Sequence, residues 1–152
     1  MLTNKGKYGL KALVDLARHP GGSPHQVLDI AQRNNISKKF LDAILLDLKN
    51  AGFLRSKKGR GGGYSLAREP GEIRIGAVIR VLDGPIAPLG CARRTAIEPC
   101  EDCQDFDTCA VRRLMIEVRN AMARILDSTT LEDLVTGSGA REPLDFTVLD
   151  SV

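Results

Sequence analysis

Apolar residues return every three or four positions along three successive segments near the start of the chain. This spacing predicts three amphipathic helices, each with one buried face. Thr3 and Ser37 are suited to cap the first and third helices, and Gly52 suits the end of the third. The second helix is predicted to end at Asn34-Asn35, only a few residues before the third, which predicts a helix-turn-helix. The apolar positions are Leu10, Leu13, Val14 and Ala17, then Val27, Ile30 and Ala31, then Leu41, Ile44, Leu45 and Leu48.

Two short segments of strand-like composition follow the third helix. Residues 53–56 and 64–66 are predicted to be strands, and residues 57–63 between them are basic and rich in glycine. Glycine permits the positive φ angles that hairpin tips need, so these segments predict an antiparallel hairpin. A basic hairpin directly after a helix-turn-helix is a wing. The predicted fold class is therefore mainly α with a small β-hairpin wing.

The remaining pattern is helical at its two ends and irregular between them. Residues 73–82 are predicted to form a brief strand and a helix, and residues 91–109 show no periodicity and are predicted to be a loop. A long helix is predicted from about residue 110 to residue 127, and its apolar face is too long for so small a domain to bury, so we expect a dimer seam. Thr129 and Glu132 are predicted to form the capping box of a last short helix. The seam residues are Val111, Leu114, Met115, Val118, Met122 and Ile125.

These elements divide the chain into three parts. Residues 1–70 are predicted to be a winged helix-turn-helix domain that binds DNA. Residues 71–136 hold a linker, the cysteine loop and the dimerisation helix. Residues 137–152 carry no helical pattern and are predicted to be a disordered tail.

Charged residues are segregated along the chain. Residues 1–68 carry 13 Lys+Arg and 4 Asp+Glu, whereas residues 69–152 carry 9 and 15. A basic front half favours a polyanionic partner, because scattered solubilising lysines would not separate the charges in this way. No apolar run reaches the roughly 18–20 residues that span a bilayer, and the first residues do not resemble a signal peptide. We expect a cytoplasmic protein without a membrane partner.

The predicted DNA contacts lie at the start of the third helix and on the wing. In a helix-turn-helix, the N-terminal residues of the recognition helix point at base edges in the major groove. Lysine can contact phosphate or guanine, and a carboxylate can accept from the cytosine amino group. A narrow minor groove attracts inserted Arg or Lys side chains from a wing. Each residue alone could be a solvated surface charge, but the shared placement favours DNA. The candidates are Ser37, Lys38, Lys39 and Asp42 on the helix and Lys57, Lys58 and Arg60 on the wing.

All four cysteines lie within nineteen residues, at Cys91, Cys100, Cys103 and Cys109. Four thiolates can hold a zinc ion or an iron–sulfur cluster. Structural zinc sites usually have two close ligand pairs, and this chain has one, which favours a cluster with zinc as the alternative. Unliganded thiols suit this polar loop poorly, since free cysteine is normally buried. A thioredoxin-like use of Cys100 and Cys103 is disfavoured because no βαβ pattern surrounds them, so we do not expect an enzyme.

The wing sequence from Gly59 to Leu66 and several shorter stretches carry a family resemblance. The shorter stretches include residues 7–9, 36–41, 48–54 and 130–135. Over about residues 1–136 the chain resembles the Rrf-type family of winged helix-turn-helix transcriptional regulators, the group that contains IscR, NsrR, RirA and CymR. The wing is the most specific part of the resemblance.

The resemblance implies a homodimer, joined by the long helix, on a pseudo-palindromic site in double-stranded DNA. It also implies a 2Fe–2S or 4Fe–4S cluster on three cysteines, with Cys91 and Cys109 as the first and last. Family members take a fourth ligand from a histidine after the last cysteine or from a carboxylate in helix one. Arg112 and Tyr8 stand at those positions here. The extra cysteine of the Cys100/Cys103 pair can supply the fourth ligand instead.

The sequence thus predicts a repressor that senses iron, iron–sulfur, redox or nitric oxide status through a cluster in the cysteine loop. Loss of the cluster would disorder the loop and alter the spacing of the recognition helices. Two alternatives stay open. One is the same DNA-binding regulator with zinc or redox-active thiols. The other is a thiol–disulfide oxidoreductase that uses Cys100 and Cys103.

Overall fold

The first and third helices begin at the predicted capping residues, and the second helix ends at the predicted asparagines. The computed structural model describes residues 2–21 and 23–138. Thr3 Oγ1 accepts a hydrogen bond from the backbone N–H of Lys5 (3.1 Å), and Ser37 Oγ accepts one from the backbone N–H of Phe40 (3.3 Å). Asn35 has a left-handed φ of 52° after the second helix, a conformation that asparagine tolerates. The helices are α1 (Asn4–Arg18), α2 (Val27–Asn34) and α3 (Lys38–Asn50).

The core is mainly aliphatic, with Phe53 as its buried aromatic residue among those described, and lies between α1, α2, α3 and a fourth helix, α4 (Ile75–Asp83). The last helix, α6 (Leu131–Thr136), packs on α1 and adds one fully buried side chain. Burial of one such side chain is worth roughly 1.5–3 kcal/mol, so the shared core holds these helices together. The largest fully buried side chains are those of Leu13, Ile30, Leu41, Ile44, Leu45, Leu48, Ile73, Val78 and Leu131.

A two-stranded antiparallel sheet forms the predicted wing, with strands β1 (Leu54–Lys57) and β2 (Gly63–Leu66). The wing is bonded to the helix-turn-helix through His25, just before α2. The backbones of His25 and Tyr64 exchange two hydrogen bonds of 2.8 Å. A Cβ atom on Gly63 would overlap the carbonyl oxygen of His25, so glycine is needed for this close approach.

The prediction of a brief strand at the start of residues 73–82 is wrong. Arg74 makes one isolated antiparallel bridge, to Thr130, and α4 begins at the next residue. The neighbouring backbone bonds run from Leu131 N to Ile73 O (2.9 Å) and from Ile75 N to Thr129 O (3.0 Å). The facing segment leads directly into α6, so the pairing cannot extend into a ladder.

The capping box of α6 lies one residue later than predicted. Thr130 Oγ1 accepts from the backbone N–H of Asp133 (3.1 Å), and Asp133 Oδ2 accepts from the backbone N–H of Thr130 (2.8 Å). Thr129 instead donates its hydroxyl to the carbonyl of Ile125 (2.7 Å), within the last turn before it. Thr129 therefore completes the preceding helix and does not cap α6.

The long helix, α5 (Ala110–Ser128), has two different faces. One face is half-buried and packs against α4 and against a 3₁₀ turn at Gly90–Ala92. The other face is exposed. Within residues 2–21 and 23–138, no helix is long and apolar enough to cross a membrane. Apart from residues 137 and 138, the predicted tail lies outside the described residues.

Candidate DNA-binding surface and cysteine site

The start of α3 presents the residues that we expect to reach base edges. The Ser37 hydroxyl caps the helix, and Lys39 is exposed. Lys38 Nζ lies 2.8 Å from Asp42 Oδ2, one helical turn further along. Asp42 is therefore paired with a cation of its own helix before any DNA arrives. A hydrogen bond from cytosine to that oxygen would compete with Lys38.

The tip of the wing combines exposed cations with glycine turns. Lys57, Lys58 and Arg60 are exposed, and within the described part of the chain their side chains make no hydrogen bond or ion pair. Gly59 and Gly61 have φ angles of 90° and 73°, which favour glycine. Three unpaired cations on a narrow hairpin suit a phosphate backbone or a minor groove.

All four cysteines line one cavity of about 440 Å³, which we call the cysteine cavity. Cys91 is only 4% exposed, whereas Cys100 is exposed. The Cys100 thiol donates a weak hydrogen bond to Cys91 Sγ at 3.8 Å. This bond raises the pKa of Cys100 above the ordinary thiol value. Cys100 therefore keeps its proton at neutral pH, and binding of a metal there would release it.

Backbone structure anchors both ends of the cysteine loop. Cys91 lies in the 3₁₀ turn Gly90–Ala92, and Cys109 is the N-cap residue of α5, where its Sγ accepts from the backbone N–H of Arg112 (3.4 Å). The middle pair shares a turn in which the N–H of Cys103 donates to the carbonyl of Cys100 (3.1 Å). The loop thus brings together cysteines that are up to 18 positions apart.

The donor set fits a thiolate-ligated metal group. Among the described residues, no three metal-binding side chains are already grouped as a ligand set. The fit rests on chemistry and placement, because four soft ligands share one cavity and suit a Cys₄ cluster. Asp102 and Asp105 also line the cavity. Asp105 Oδ1 accepts from the backbone N–H groups of Asp107 (2.9 Å) and Thr108 (3.3 Å), so this carboxylate holds a turn of the loop.

Sequence reasoning missed two arginines of α5 that bind the start of the cysteine loop. Arg112 Nε donates to the carbonyl of Cys91 (3.0 Å), and Arg119 Nη1 donates to the carbonyl of Ala92 (2.8 Å). The arginines are seven residues apart and so share one face of the helix. Their spacing is visible in the sequence, but their partners lie on the distant Gly90–Ala92 turn. The geometry connects that turn directly to α5.

The exposed face of α5 carries four of the predicted dimer residues. Their side chains are 36–59% exposed. Successive members lie three, four and seven positions apart, the spacing expected of residues at a coiled-coil seam. Met115 and Met122 are half-buried at the edge of this face. Met122 lines a small cavity with Ile79 of α4 and with Leu126. The four exposed residues, which we call the exposed stripe, are Val111, Leu114, Val118 and Ile125.

These features define a class of protein, a winged helix-turn-helix regulator whose cysteine loop is joined to a long exposed helix. Residues 2–137 match the sequence model of the family described as Rrf2, iron-dependent transcriptional regulator. Since this match spans most of the chain, the protein belongs to the Rrf2 family of transcriptional regulators.

Individual relatives agree with this assignment. A Rhodobacter capsulatus protein, provisionally named an rrf2-like HTH-type transcriptional regulator, is 44% identical over 149 residues, 95% of this chain and 99% of that protein. The solved structure of CymR (YrzC), the global cysteine regulator of B. subtilis, has 41% sequence identity to this chain and superposes with a TM-score of 0.72. The match covers 90% of this chain and 97% of that chain. The solved structure of T. potens IscR has 33% sequence identity and a TM-score of 0.71, and the match covers 91% of this chain and 88% of that chain. The relatives are transcriptional regulators and not enzymes.

Proposed function

We propose that this regulator is a homodimeric repressor that holds an iron–sulfur cluster in its cysteine loop. The observation that carries the proposal is that Cys91, Cys100, Cys103 and Cys109 line one cavity at the start of α5. The description of the family as iron-dependent supports iron over zinc. The signal would be iron or cluster supply, redox state or nitric oxide, each of which acts on an iron–sulfur centre.

The DNA-binding part of the proposal assigns a groove to each basic element. The start of α3, with Lys38, Lys39 and Asp42, would enter the major groove, and the wing, with Lys58 and Arg60, would reach the adjacent minor groove. Two copies joined through the exposed stripe would present two recognition helices related by a two-fold axis. That arrangement requires a pseudo-palindromic operator of double-stranded DNA.

The proposed signal passes through residues that connect the loop to the DNA-binding helices. A bound cluster would tie the thiolates into one group and supply an iron centre that responds to redox change and small ligands. Arg112 and Arg119 hold the first residues of the loop on α5. Arg80 of α4 binds Asp127 of α5, and α4 packs on α1 and α3. A change in the order of the loop can therefore alter the positions of the recognition helices.

A second candidate keeps the regulator and replaces the cluster with reactive thiols. It is favoured by the separation of 3.8 Å between Cys91 Sγ and Cys100 Sγ. An oxidant such as a peroxide or a low-molecular-weight disulfide would take two electrons and two protons from this thiol pair, and a small movement would bring the sulfurs to the disulfide bond length of about 2.05 Å. The likeness to CymR, a global cysteine regulator, points in the same direction. Zinc on the same thiols is the remaining form of this candidate. Thiol–disulfide oxidoreductase activity is not proposed, because the family consists of transcriptional regulators.

Anaerobic purification of untagged protein tests the cofactor. We expect visible absorption from sulfur-to-iron charge transfer, with iron and acid-labile sulfide in matching amounts. Single replacements of each cysteine by serine serve as matched variants. Cys91→Ser and Cys109→Ser should lose the absorption, and Cys100→Ser and Cys103→Ser should show which middle thiol is a ligand. A colourless protein with stoichiometric zinc, or without metal after reconstitution, would contradict the cluster.

A further inference from the structure

Arg112 contacts the cysteine loop at three points. Its backbone N–H donates to Cys109 Sγ (3.4 Å), and its Nε donates to the carbonyl of Cys91 (3.0 Å). Its guanidinium lies over the ring of Phe106, 3.7 Å from the ring centroid. These contacts reach both ends of the loop and a point between Cys103 and Cys109. One residue of α5 thus fixes the first and last cysteines relative to each other.

Arg112 is also one of the residues that line the cysteine cavity, and the bond from its Nε to the Cys91 carbonyl keeps its positive charge beside a residue that carries one of the thiols. A planar guanidinium can stack on a ring and donate from its edge at the same time, which an ammonium group cannot do. Its positive charge favours negative charge nearby, more strongly in a partly buried site than in water. A thiolate-ligated cluster carries negative charge that increases on reduction, so this charge would favour the reduced form.

We propose that Arg112 is the positioning residue of the cysteine site. Arg112 holds Cys91 near Cys109 and places a positive charge at the cavity that these cysteines share. The identity of the bound group rests on the function proposed above. The positioning of the thiols does not, because its contacts are present in the protein alone. The two parts of the proposal therefore have separate tests.

Arg119 offers a matched control on the same helix face. It makes the same type of bond to the next carbonyl of the turn, that of Ala92 (2.8 Å). It does not line the cysteine cavity and instead lines a different one, beside Arg80 and Asp127. Arg119→Gln thus removes an anchor of the same turn and leaves the charge at the thiols unchanged.

The first test uses reduced, metal-free full-length protein. The rate at which iodoacetamide labels Cys91 is measured by peptide mass spectrometry. It is compared in the parent, Arg112→Gln, Arg112→Lys and Arg119→Gln, and circular dichroism confirms that each protein is folded. Cys91 is buried, so labelling requires local opening, and we expect the rate to rise about tenfold or more in both Arg112 variants. Arg119→Gln should change it much less. Equal rates in the parent and both Arg112 variants would overturn the positioning role, and so would an equal rise in Arg119→Gln.

The second test measures the reduction potential of the cluster-loaded protein by anaerobic titration. Arg112→Gln should shift the potential to more negative values, because reduction adds negative charge that no cation now offsets. Arg112→Lys should restore most of the parent value, and Arg119→Gln should match the parent. An unchanged potential in Arg112→Gln would overturn the charge role. If the parent takes up no cluster, the proposed function fails, and the labelling test still decides the positioning role.

Discussion

Asp127, near the end of α5, accepts two hydrogen bonds from Arg80 of α4, at 2.5 and 2.9 Å. Each carboxylate oxygen receives one terminal nitrogen of the guanidinium, the geometry in which this pair binds most specifically. These hydrogen bonds lower the pKa of Asp127 and raise that of Arg80. Gly76 lies beside them, and a Cβ atom there would overlap Asp127 Oδ1. The pair joins the proposed dimer helix to the helix that packs on α1 and α3.

Asp127→Asn is expected to weaken this connection with little loss of stability. Both side chains are more than 40% exposed, so solvent screens the pair. We expect the free energy of unfolding, from urea denaturation at neutral pH, to fall by less than about 1 kcal/mol. Since the pKa of Asp127 is lowered in the folded protein, this contribution is present above the ordinary value of 3.8 and is lost as the pH falls through the lower folded value.

The same substitution tests communication between the loop and the DNA-binding helices. The difference in operator affinity between cluster-loaded and cluster-free protein should shrink severalfold in Asp127→Asn, measured by fluorescence anisotropy. Arg124→Gln, an exposed change on the same helix, is the control and should leave the difference intact. If Asp127→Asn also leaves it intact, α5 and α4 do not communicate through this pair.

Gly63→Ala is expected to displace the wing. Gly63 has a φ of 147°, and an added Cβ atom would overlap the carbonyl oxygen of His25, so the bridge between His25 and Tyr64 should break. Operator binding should then weaken by about 1–3 kcal/mol, the cost of one lost specific contact or more. Gly21→Ala adds the same methyl group where no atom of the described residues lies within 4 Å of it, and should bind like the parent. Equal binding by Gly63→Ala would mean that the wing does not depend on this bridge.

Removal of the cations at the wing tip is expected to weaken DNA binding. Arg60→Ala and Lys58→Ala should each cost roughly 1–3 kcal/mol if the side chain enters the minor groove. Anisotropy titrations at two salt concentrations separate a loss of phosphate contacts from a loss of specificity. Lys49→Ala, an exposed lysine at the far end of α3, is the charge-matched control. Parent-like binding by both wing variants would exclude the wing from the DNA interface.

Val118→Glu is expected to separate the dimer. Val118 lies in the middle of the exposed stripe, and an unpaired carboxylate buried there would cost several kcal/mol, enough to raise the dissociation constant at least about a hundredfold. Light scattering at micromolar concentration should show a dimer for the parent and a monomer for the variant. Asn120→Glu places the same charge two residues further, off the stripe, and should remain a dimer. A dimeric Val118→Glu protein would place the interface elsewhere.

Local chemistry explains which elements could be predicted from the sequence. Thr3, Ser37 and Asn35 act on backbone groups a few residues away, so a short stretch of sequence determines where these helices begin and end. The start of α6 is different, because Thr129 with Glu132 and Thr130 with Asp133 are two overlapping capping signals. The backbone bonds between the segment at residue 73 and the segment at residue 131 decide between them.

The candidate site shows the same division between local and distant information. The cysteine spacing indicates that the thiols share a function, but not that they line one cavity. Arg112 could not be assigned a role, because its partner carbonyl at Cys91 is 21 residues earlier in the chain. The exposed stripe was predictable from helical spacing alone, whereas the packing of Met122 toward Ile79 depends on how α4 lies against α5.

The most direct test of a cluster-controlled repressor is one affinity titration repeated on a single anaerobic preparation. A duplex obtained by selection with the protein itself serves as the operator. Its dissociation constant is measured by fluorescence anisotropy with the cluster present, after its removal and after reconstitution, while the visible absorption is recorded. We predict that operator affinity and visible absorption change together when the cluster is removed, with a change in affinity of at least about tenfold. Both should return to their starting values on reconstitution. Equal affinity in all three states would contradict control of DNA binding by the cysteine site.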